Sequence, residues 1–497
     1  MKFNRTLLAV IVIAIFSFAC FDDADDNGIF TSEINNFVWK GLNVIYLYKD
    51  NVPNLANDRF SNNEDYGSYL NSFSAPEELF ESLIYQRQSV DKFSWIVDDY
   101  IALEQSLSGV FTSNGMEYTL FLQPNSSTAL IGVVRLVLPN SDADNKGLKR
   151  GDMFNAINGT PLTNTNSRSL LAASEYILNL ATYNNNGTPE STDDTVDSTT
   201  ESISLSKLTY SENPIFKSEI LSVDGENVGY LMYNGFTNEY DSQLNEAFGT
   251  FLANNVQHLV LDLRYNPGGS VNTAILLSSM ITGQNTGEVF SSEQWNSEFQ
   301  TAFENENPEL LINRFTNNNN GNPLNSLNLQ KVYILATKRS ASASEQVINS
   351  LDPYIDVIHI GENTYGKYQA SLTIYDSQNF GREGANPNHS YAMQPLVLKS
   401  LNSVGHTDYD NGLIPDIPLS ENYTNLGVLG DENETLLAAA LADIASETGR
   451  IVEIQAKSKN NLILVKDSNS LEHINHDMYI EKELPKDLIN RILFEQD

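Results

Sequence analysis

The residues of this chain that could carry chemistry are concentrated in a short turn. Three serines, Ser340, Ser342 and Ser344, alternate with alanines between an apolar run at 332–336 and a segment that begins with Glu345. The β-branched and aromatic run predicts a buried strand, and the segment after the serines predicts a helix. A serine at the start of a helix faces free backbone N–H groups and the positive end of the helix dipole, which favour an oxyanion. This turn is therefore the candidate catalytic site.

A second turn follows another predicted buried strand, at 256–263. It contains Asn266-Pro267-Gly268-Gly269 and precedes a predicted helix at 274–281. Strands that alternate with helices indicate an α/β sheet, in which function lies at the carboxyl ends of the strands. Glycines allow bare backbone N–H groups to approach a ligand closely. The glycine turn is a weak indication by itself, and it gains weight beside the serine turn.

A serine hydroxyl is a poor nucleophile until a base removes its proton. The chain has no G-x-S-x-G elbow, and its six histidines form neither a convincing Ser-His-Asp set nor a metal site. A lysine can act as the base if desolvation lowers its pKa from about 10.4 to roughly 7–8. Lys367 lies between Gly366 and Tyr368, where burial is plausible. No cofactor is expected.

Length and charge limit the possible functions. The 497 residues exceed the size of one hydrophobic core, so two or three domains are expected. The formal charge of −35, from 64 acidic and 29 basic residues, argues against nucleic acid and anionic membrane surfaces as partners.

The first residues have the pattern of an export signal. Lys2 and Arg5 precede an uncharged apolar run at 7–19, and the single cysteine, Cys20, follows it directly. This arrangement resembles the lipobox of bacterial lipoproteins, which predicts a signal peptide at 1–19, lipidation of Cys20 and an acidic tether at 20–30. The alternative is ordinary cleavage after Ala19. We expect an exported outer-membrane lipoprotein, facing the periplasm or the cell surface, that contacts the membrane only through its lipid anchor.

The rest of the chain is predicted to be multidomain α/β. Residues 31–107 have helical periodicity and form an N-terminal helical cap, with 96–107 as its last helical stretch. Residues 108–210 resemble a PDZ domain through Gly147-Leu148, Gly151-Asp152 and Asn158-Gly159, with a mobile loop at 184–200; a generic small β module is the alternative. An α/β domain at 211–425 is followed by a C-terminal helix, capped by Asp431, and an extension at 426–497.

The two turns together resemble those of a known family. LDLRYNPGG at 261–269, SASASE at 340–345 and GENTYGK at 361–367, behind a PDZ-like domain, resemble the C-terminal-processing (tail-specific) serine peptidases. FVWKG at 37–41 and YLYK at 46–49 are similar to the Bacteroidetes lipoprotein branch of that family. The resemblance covers residues 105–425 and implies a crotonase-like or ClpP-like core.

Carried onto this sequence, the resemblance assigns the nucleophile to Ser342 and the general base to Lys367, 25 residues downstream. It assigns the oxyanion hole to the N–H of Ala343 and to an N–H of the Gly268-Gly269 turn. The family often has a glutamine four residues after the lysine. Here that position is Ser371, and the nearest glutamine is Gln369, so either could orient the amine.

The expected function is a serine endopeptidase that cleaves exported polypeptides with unstructured C-termini through an acyl-enzyme. Two alternatives stay open. One is a catalytically silent PDZ scaffold that binds peptides, and the other is a hydrolase of the same fold that acts on a small ligand.

Overall fold

The structure is a computed structural model that describes residues 27–188, 192–447, 462–468, 478–482, 484–485 and 488–489. The predicted signal peptide and Cys20 lie outside these residues. Of the predicted tether, the described part at 27–30 belongs to the first helix. Among the helices that the structure describes, none is both long and apolar enough to cross a membrane.

The α-helices are α1 (Asn27–Ile45), α2 (Asn63–Leu70), α3 (Pro76–Leu83), α4 (Tyr100–Leu107), α5 (Asp142–Asn145), α6 (Ser167–Ala172), α7 (Asp241–Ala253), α8 (Val271–Ile281), α9 (Ser297–Glu306), α10 (Ala343–Leu351) and α11 (Thr435–Glu447). The strands are β1 (Trp95–Val97), β2 (Val110–Ser113), β3 (Met116–Leu122), β4 (Leu130–Val137), β5 (Met153–Ile157), β6 (Thr160–Pro161), β7 (Glu175–Asn184), β8 (Thr195–Ser206), β9 (Leu208–Ser211), β10 (Ile215–Val223), β11 (Glu226–Tyr233), β12 (His258–Asp262), β13 (Val289–Trp295), β14 (Ile312–Arg314), β15 (Asn318–Asn319), β16 (Asn322–Pro323), β17 (Lys331–Ala336), β18 (Asp356–Gly361), β19 (Gln369–Ser371), β20 (Ile374–Tyr375), β21 (Ala392–Gln394), β22 (Leu396–Leu401), β23 (Ile417–Pro418) and β24 (Ile463–Asp467).

A six-stranded sheet forms the centre of the α/β region, in the order β10-β11-β12-β17-β18-β23. The run from β11 to β23 is parallel, and β12 pairs directly with β17. These strands are buried, as their continuous apolar sequences predict. Because β12 and β17 are parallel neighbours, their carboxyl ends meet at one edge. The glycine turn that leads into α8 and the serine turn that leads into α10 are therefore adjacent.

The N-terminal region is mostly helical, and it packs on the same hydrophobic core as the central sheet. The prediction of a continuous helical stretch at 96–107 is wrong at its start. Trp95–Val97 is strand β1, which pairs antiparallel with β21. The aromatic and β-branched side chains of this tripeptide favour a strand. Helix α4 begins only at Tyr100, because the carboxylate of Asp99 accepts the N–H groups of Ile101 and Ala102.

A second sheet contains β24, β3, β4, β5, β7 and β8 in that order, with β6 paired to β5. The predicted loop at 184–200 is shorter than expected. Residues 195–200 are the first half of β8, and 195–198 pair with β7, for example Val196 with Tyr183. This segment is rich in threonine, whose β-branched side chain fits a pleated strand. Beyond residue 450, β24 joins this sheet beside β3.

Helix α11 was predicted from its alanine-rich sequence, and the structure confirms the helix but not its cap. The side chain of Glu434 accepts the N–H groups of Leu436 and Leu437. The Asp431 carboxylate instead accepts the N–H of Asn433. Glu434 caps the helix because it lies directly before the first turn, where the free N–H groups are.

Candidate active site

Ser342 lies between β17 and α10, at the N-cap position of the helix. Its backbone has φ 64° and ψ −116°, in the left-handed half of the conformational map that side chains rarely adopt. Such a conformation costs about 1–3 kcal/mol and is retained only where the surroundings impose it. The residue is fully buried. The next N–H, that of Ala343, is the first of α10 and therefore has no acceptor within the helix.

Glu345 connects the serine turn to the lysine turn. Its Oε2 accepts the backbone N–H of Ser342 at 2.7 Å and the backbone N–H of Lys367 at 2.8 Å. Its Oε1 accepts the Thr364 hydroxyl at 2.5 Å and the Gly366 N–H at 2.7 Å. One buried carboxylate therefore holds the backbones of the predicted nucleophile and the predicted base close together. Burial raises the pKa of Glu345 to about 7, although its hydrogen bonds act in the opposite direction.

Lys367 is buried, with 1% of its surface exposed. Its Nζ lies 4.7 Å from the centre of the Phe93 ring. Phe93 comes from the N-terminal region, and its ring also lies 6.0 Å from that of Tyr365, two residues before the lysine. The N-terminal region thus supplies an apolar wall to the predicted base.

The Gly268-Gly269 turn packs directly on the serine turn. Gly268 has φ 117°, and a Cβ placed on it would lie 2.7 Å from the Ser342 Cβ and 3.0 Å from the Ala343 nitrogen. Only glycine fits at this position. The N–H of Gly268 donates to Asn266 Oδ1 at 2.9 Å. Gly269 has φ 135°, so both glycines use conformations that other residues avoid.

The two residues expected to orient the lysine, Gln369 and Ser371, are both buried and form hydrogen bonds with other groups. Gln369 donates its side-chain amide to the Tyr48 hydroxyl at 3.1 Å. The Ser371 hydroxyl has two acceptors within reach of its single proton, Gln394 Oε1 at 3.2 Å and the Met478 carbonyl at 3.3 Å.

Sequence reasoning missed three residues at this site: Glu345, Phe93 and Met478. Glu345 could have been found, because Ser342-x-x-Glu345 is the capping-box pattern, in which the acidic side chain reaches back to the N-cap N–H. Phe93 and Met478 are distant in sequence and carry no such signal. Met478 donates its backbone N–H to Ser342 Oγ at 2.5 Å.

Comparisons with known proteins agree with this architecture. Residues 227–394 match peptidase family S41, and residues 33–95 match the peptidase S41 N-terminal domain. A carboxyl-terminal-processing protease of Picosynechococcus sp. is 23% identical over 363 residues, 73% of this chain and 77% of that protein. The chloroplastic carboxyl-terminal-processing peptidase 2 of Arabidopsis thaliana is 23% identical over 301 residues, 59% of this chain and 50% of that protein.

A solved structure of an S41 protease from Bacteroides fragilis has a TM-score of 0.63 and 26% sequence identity, and it covers 83% of this chain and 97% of that chain. The two matched regions include most of α1, all of α2 and α3, both turns and Lys367. The chain thus contains a peptidase family S41 domain at 227–394, and it is a serine-type endopeptidase similar to the carboxyl-terminal-processing proteases.

Proposed function

We propose that this peptidase cleaves exported polypeptides near their C-termini through a dyad of Ser342 and Lys367. The observation that carries the proposal is the shared hydrogen-bond acceptor. Oε2 of Glu345 accepts the backbone N–H groups of both residues, at 2.7 and 2.8 Å. The shared oxygen keeps the two backbones together although they are 25 residues apart in the chain.

In the proposed reaction, the neutral Nζ of Lys367 takes the proton of the Ser342 hydroxyl while Oγ attacks the scissile carbonyl carbon. The tetrahedral intermediate collapses to an ester on Ser342, and the leaving amine receives the proton from Lys367. Water then attacks the ester, with the same lysine as base, and releases the new carboxyl terminus. The burial of Lys367 supports a neutral amine, because desolvation disfavours the charged form.

The oxyanion of the intermediate requires two N–H donors. The Ala343 N–H supplies the first, at the start of α10. We assign the second to Gly269, since the N–H of Gly268 already donates to Asn266 Oδ1. The close fit of Gly268 against Ser342 keeps the two turns together.

We assign the sheet that contains β3, β4, β5, β7 and β8 to a PDZ-like module that presents polypeptide ends to the site. PDZ domains bind an extended chain as an added strand. Contact between this module and the glycine turn supports the assignment. Arg150, from the predicted PDZ turn, donates to the Tyr265 hydroxyl at 2.6 Å and to Glu421 Oε1 at 2.8 Å. Tyr265 directly precedes Asn266 in the glycine turn.

A catalytically silent scaffold is the rival function, and the geometry of the serine turn argues against it. A scaffold that binds peptides at the PDZ-like sheet would not need a buried serine in a strained backbone conformation at the start of α10.

Turnover of an unfolded casein by the wild type, Ser342→Ala and Lys367→Ala tests the dyad, with the exposed Lys40→Ala as the matched control. We expect both site variants to lose about 10²-fold or more of the turnover, the range for general acid–base catalysis. Equal turnover in all four proteins refutes the dyad.

We also propose that the protein is a lipoprotein, exported and anchored to the outer membrane through Cys20. The placement of the single cysteine directly after the apolar run supports this. Labelled palmitate should enter the wild type but not Cys20→Ala. Absence of label from both proteins excludes the anchor.

A further inference from the structure

The 478–482 segment, which we call the cleft segment, lies across the predicted nucleophile. The Met478 N–H donates to Ser342 Oγ at 2.5 Å. Met478, Tyr479 and Ile480 are all at least nine-tenths buried, although short polar stretches surround the segment in the sequence. A buried extended segment at the nucleophile occupies the place where a polypeptide substrate must lie.

The cleft segment is held as an added strand. On one side, the Ser371 N–H donates to the Met478 carbonyl at 2.9 Å, and the Ile480 N–H donates to the Ser371 carbonyl at 3.0 Å. On the other side, the Tyr479 N–H donates to the Gly269 carbonyl at 3.1 Å, and the Val271 N–H donates to the Tyr479 carbonyl at 3.1 Å. These are backbone contacts, which any extended polypeptide can make regardless of its side chains. The slot between β19 and the glycine turn is therefore a general strand-binding site.

Two side chains secure the end of the segment. The Glu481 carboxylate accepts the side-chain amides of Asn238 and Asn272 and the Ser270 hydroxyl. Lys482 Nζ lies 3.1 Å from Glu293 Oε2 and 5.2 Å from the centre of the Phe303 ring. It also donates to the Leu310 carbonyl. The segment is therefore fixed by one acidic and one basic side chain, each with specific partners. A chain end that only rests on a surface would lack such contacts.

A cavity of about 730 Å³ continues from the occupied slot. Leu372, Thr373 and Tyr375 line one part of it, and Tyr479 and Ile480 line another. The segment therefore borders open space on the side of Tyr375.

We infer that the cleft segment is a built-in competitor that keeps the peptidase latent, and that it must leave the slot before a polypeptide can bind there. The inference rests on the proposed function, because it takes Ser342 as the nucleophile. A tethered strand competes at an effective concentration of about millimolar, so weak contacts suffice to exclude substrates present at lower concentration. The ligand of the vacated slot is an extended polypeptide, bound by the Ser371 backbone, the Gly269 carbonyl and the Val271 N–H.

The test measures how fast a fluorophosphonate probe labels Ser342 in the full-length chain. Glu481→Ala/Lys482→Ala removes both anchors without touching the turns that carry Ser342 and Lys367. We expect labelling at least about tenfold faster than in the wild type, which corresponds to about 1.4 kcal/mol of lost anchoring. Glu246→Ala, at an exposed position of α7, is the matched control and should label at the wild-type rate. An acetylated peptide of sequence MYIEK, added in trans, should slow labelling of the double variant again.

Hydrogen exchange gives a readout that does not depend on activity. The amides of Met478, Tyr479 and Ile480 should exchange slowly in the wild type and fast in the double variant. Fast exchange in the wild type, or equal labelling rates in the wild type and the double variant, overturns the inference and leaves the nucleophile in place. If the probe labels Ser342 in none of the proteins, the proposed nucleophile is wrong and the inference falls with it.

Discussion

Replacement of Glu345 by glutamine tests whether one carboxylate holds the catalytic turns together. The carboxylate accepts four hydrogen bonds, from the N–H groups of Ser342, Gly366 and Lys367 and from the Thr364 hydroxyl. Glutamine has one acceptor oxygen, and its NH₂ group must point at the donors on the other side. The substitution is nearly the same size, so it removes acceptor capacity without leaving a cavity.

The orientation of the new amide sets the cost. If the NH₂ group faces Thr364, the threonine hydroxyl can turn and accept from it, which leaves the Gly366 N–H unsatisfied. If the NH₂ group faces Ser342 and Lys367, two backbone N–H groups lose their acceptor. A buried unsatisfied group costs about 1–3 kcal/mol. We expect the first orientation to prevail, with a loss of about 1–3 kcal/mol in the free energy of unfolding. The Gly366 turn then shifts, and Lys367 moves with it.

Urea unfolding and steady-state cleavage of an unfolded casein measure both effects. A displacement of about 1 Å of a catalytic group can cost roughly 10²-fold in rate, so kcat should fall by that order while KM changes little. Glu432→Gln, at an exposed position, is the matched control and should change neither quantity. A Glu345→Gln protein with wild-type kcat and unchanged stability would refute the reasoning.

Three further predictions concern the glycine turn, the serine turn and the buried carboxylate of Glu421. Gly268→Ala should reduce kcat about 10²-fold, because the new Cβ would lie 2.7 Å from the Ser342 Cβ and displace the serine. The control is Gly147→Ala, which is also at positive φ but has open space around it and should keep the wild-type kcat. In urea titrations, the free energy of unfolding of Ser342→Gly should exceed that of Ser342→Ala by about 1–2 kcal/mol, because glycine adopts φ 64° without strain. Equal free energies would show that the backbone of the turn is not strained. Burial raises the pKa of Glu421, but Arg150 and Arg264 together lower it from 4.5 to about 2. A depressed pKa stabilises the fold above pH 4.5, so about 3 kcal/mol should be lost as pH falls from 4.5 towards 2, and Glu421→Gln should lack this part of the pH dependence in urea titrations.

The strands that carry the site could be predicted from sequence because each buried strand is a continuous apolar run. The glycine turn begins where β12 ends, and the serine turn begins where β17 ends. The positions of both turns could therefore be predicted from the ends of the apolar runs. The errors arose where local pattern was ambiguous. Trp95–Val97 continued a helical periodicity but pairs with β21, and the residues at 195–198 are mostly polar but pair with β7. In both segments the partner strand determines the structure, and a single sequence does not show the partner.

Some contacts within the site are likewise encoded by local sequence, and others depend on how distant segments pack together. Glu345 lies three residues from Ser342, so a local capping pattern encodes its first hydrogen bond. Its bonds to Gly366 and Lys367 depend on how β18 returns to the sheet beside β17. Phe93 approaches Lys367 from the N-terminal region, which is distant in sequence. The environment that is expected to keep the lysine neutral is therefore a tertiary property.

The resting arrangement of Ser342 Oγ also bears on how catalysis begins. A serine oxygen has one proton to donate and two lone pairs that can accept. In the structure, the Met478 N–H takes one of these lone pairs. Attack on a carbonyl needs a lone pair directed at the substrate, and the bond to Met478 withdraws electron density from the same oxygen. If the cleft segment leaves as we propose, two changes follow at once: the strand slot beside Ser371 opens, and Ser342 Oγ, the proposed nucleophile, loses the donor that withdraws its electron density.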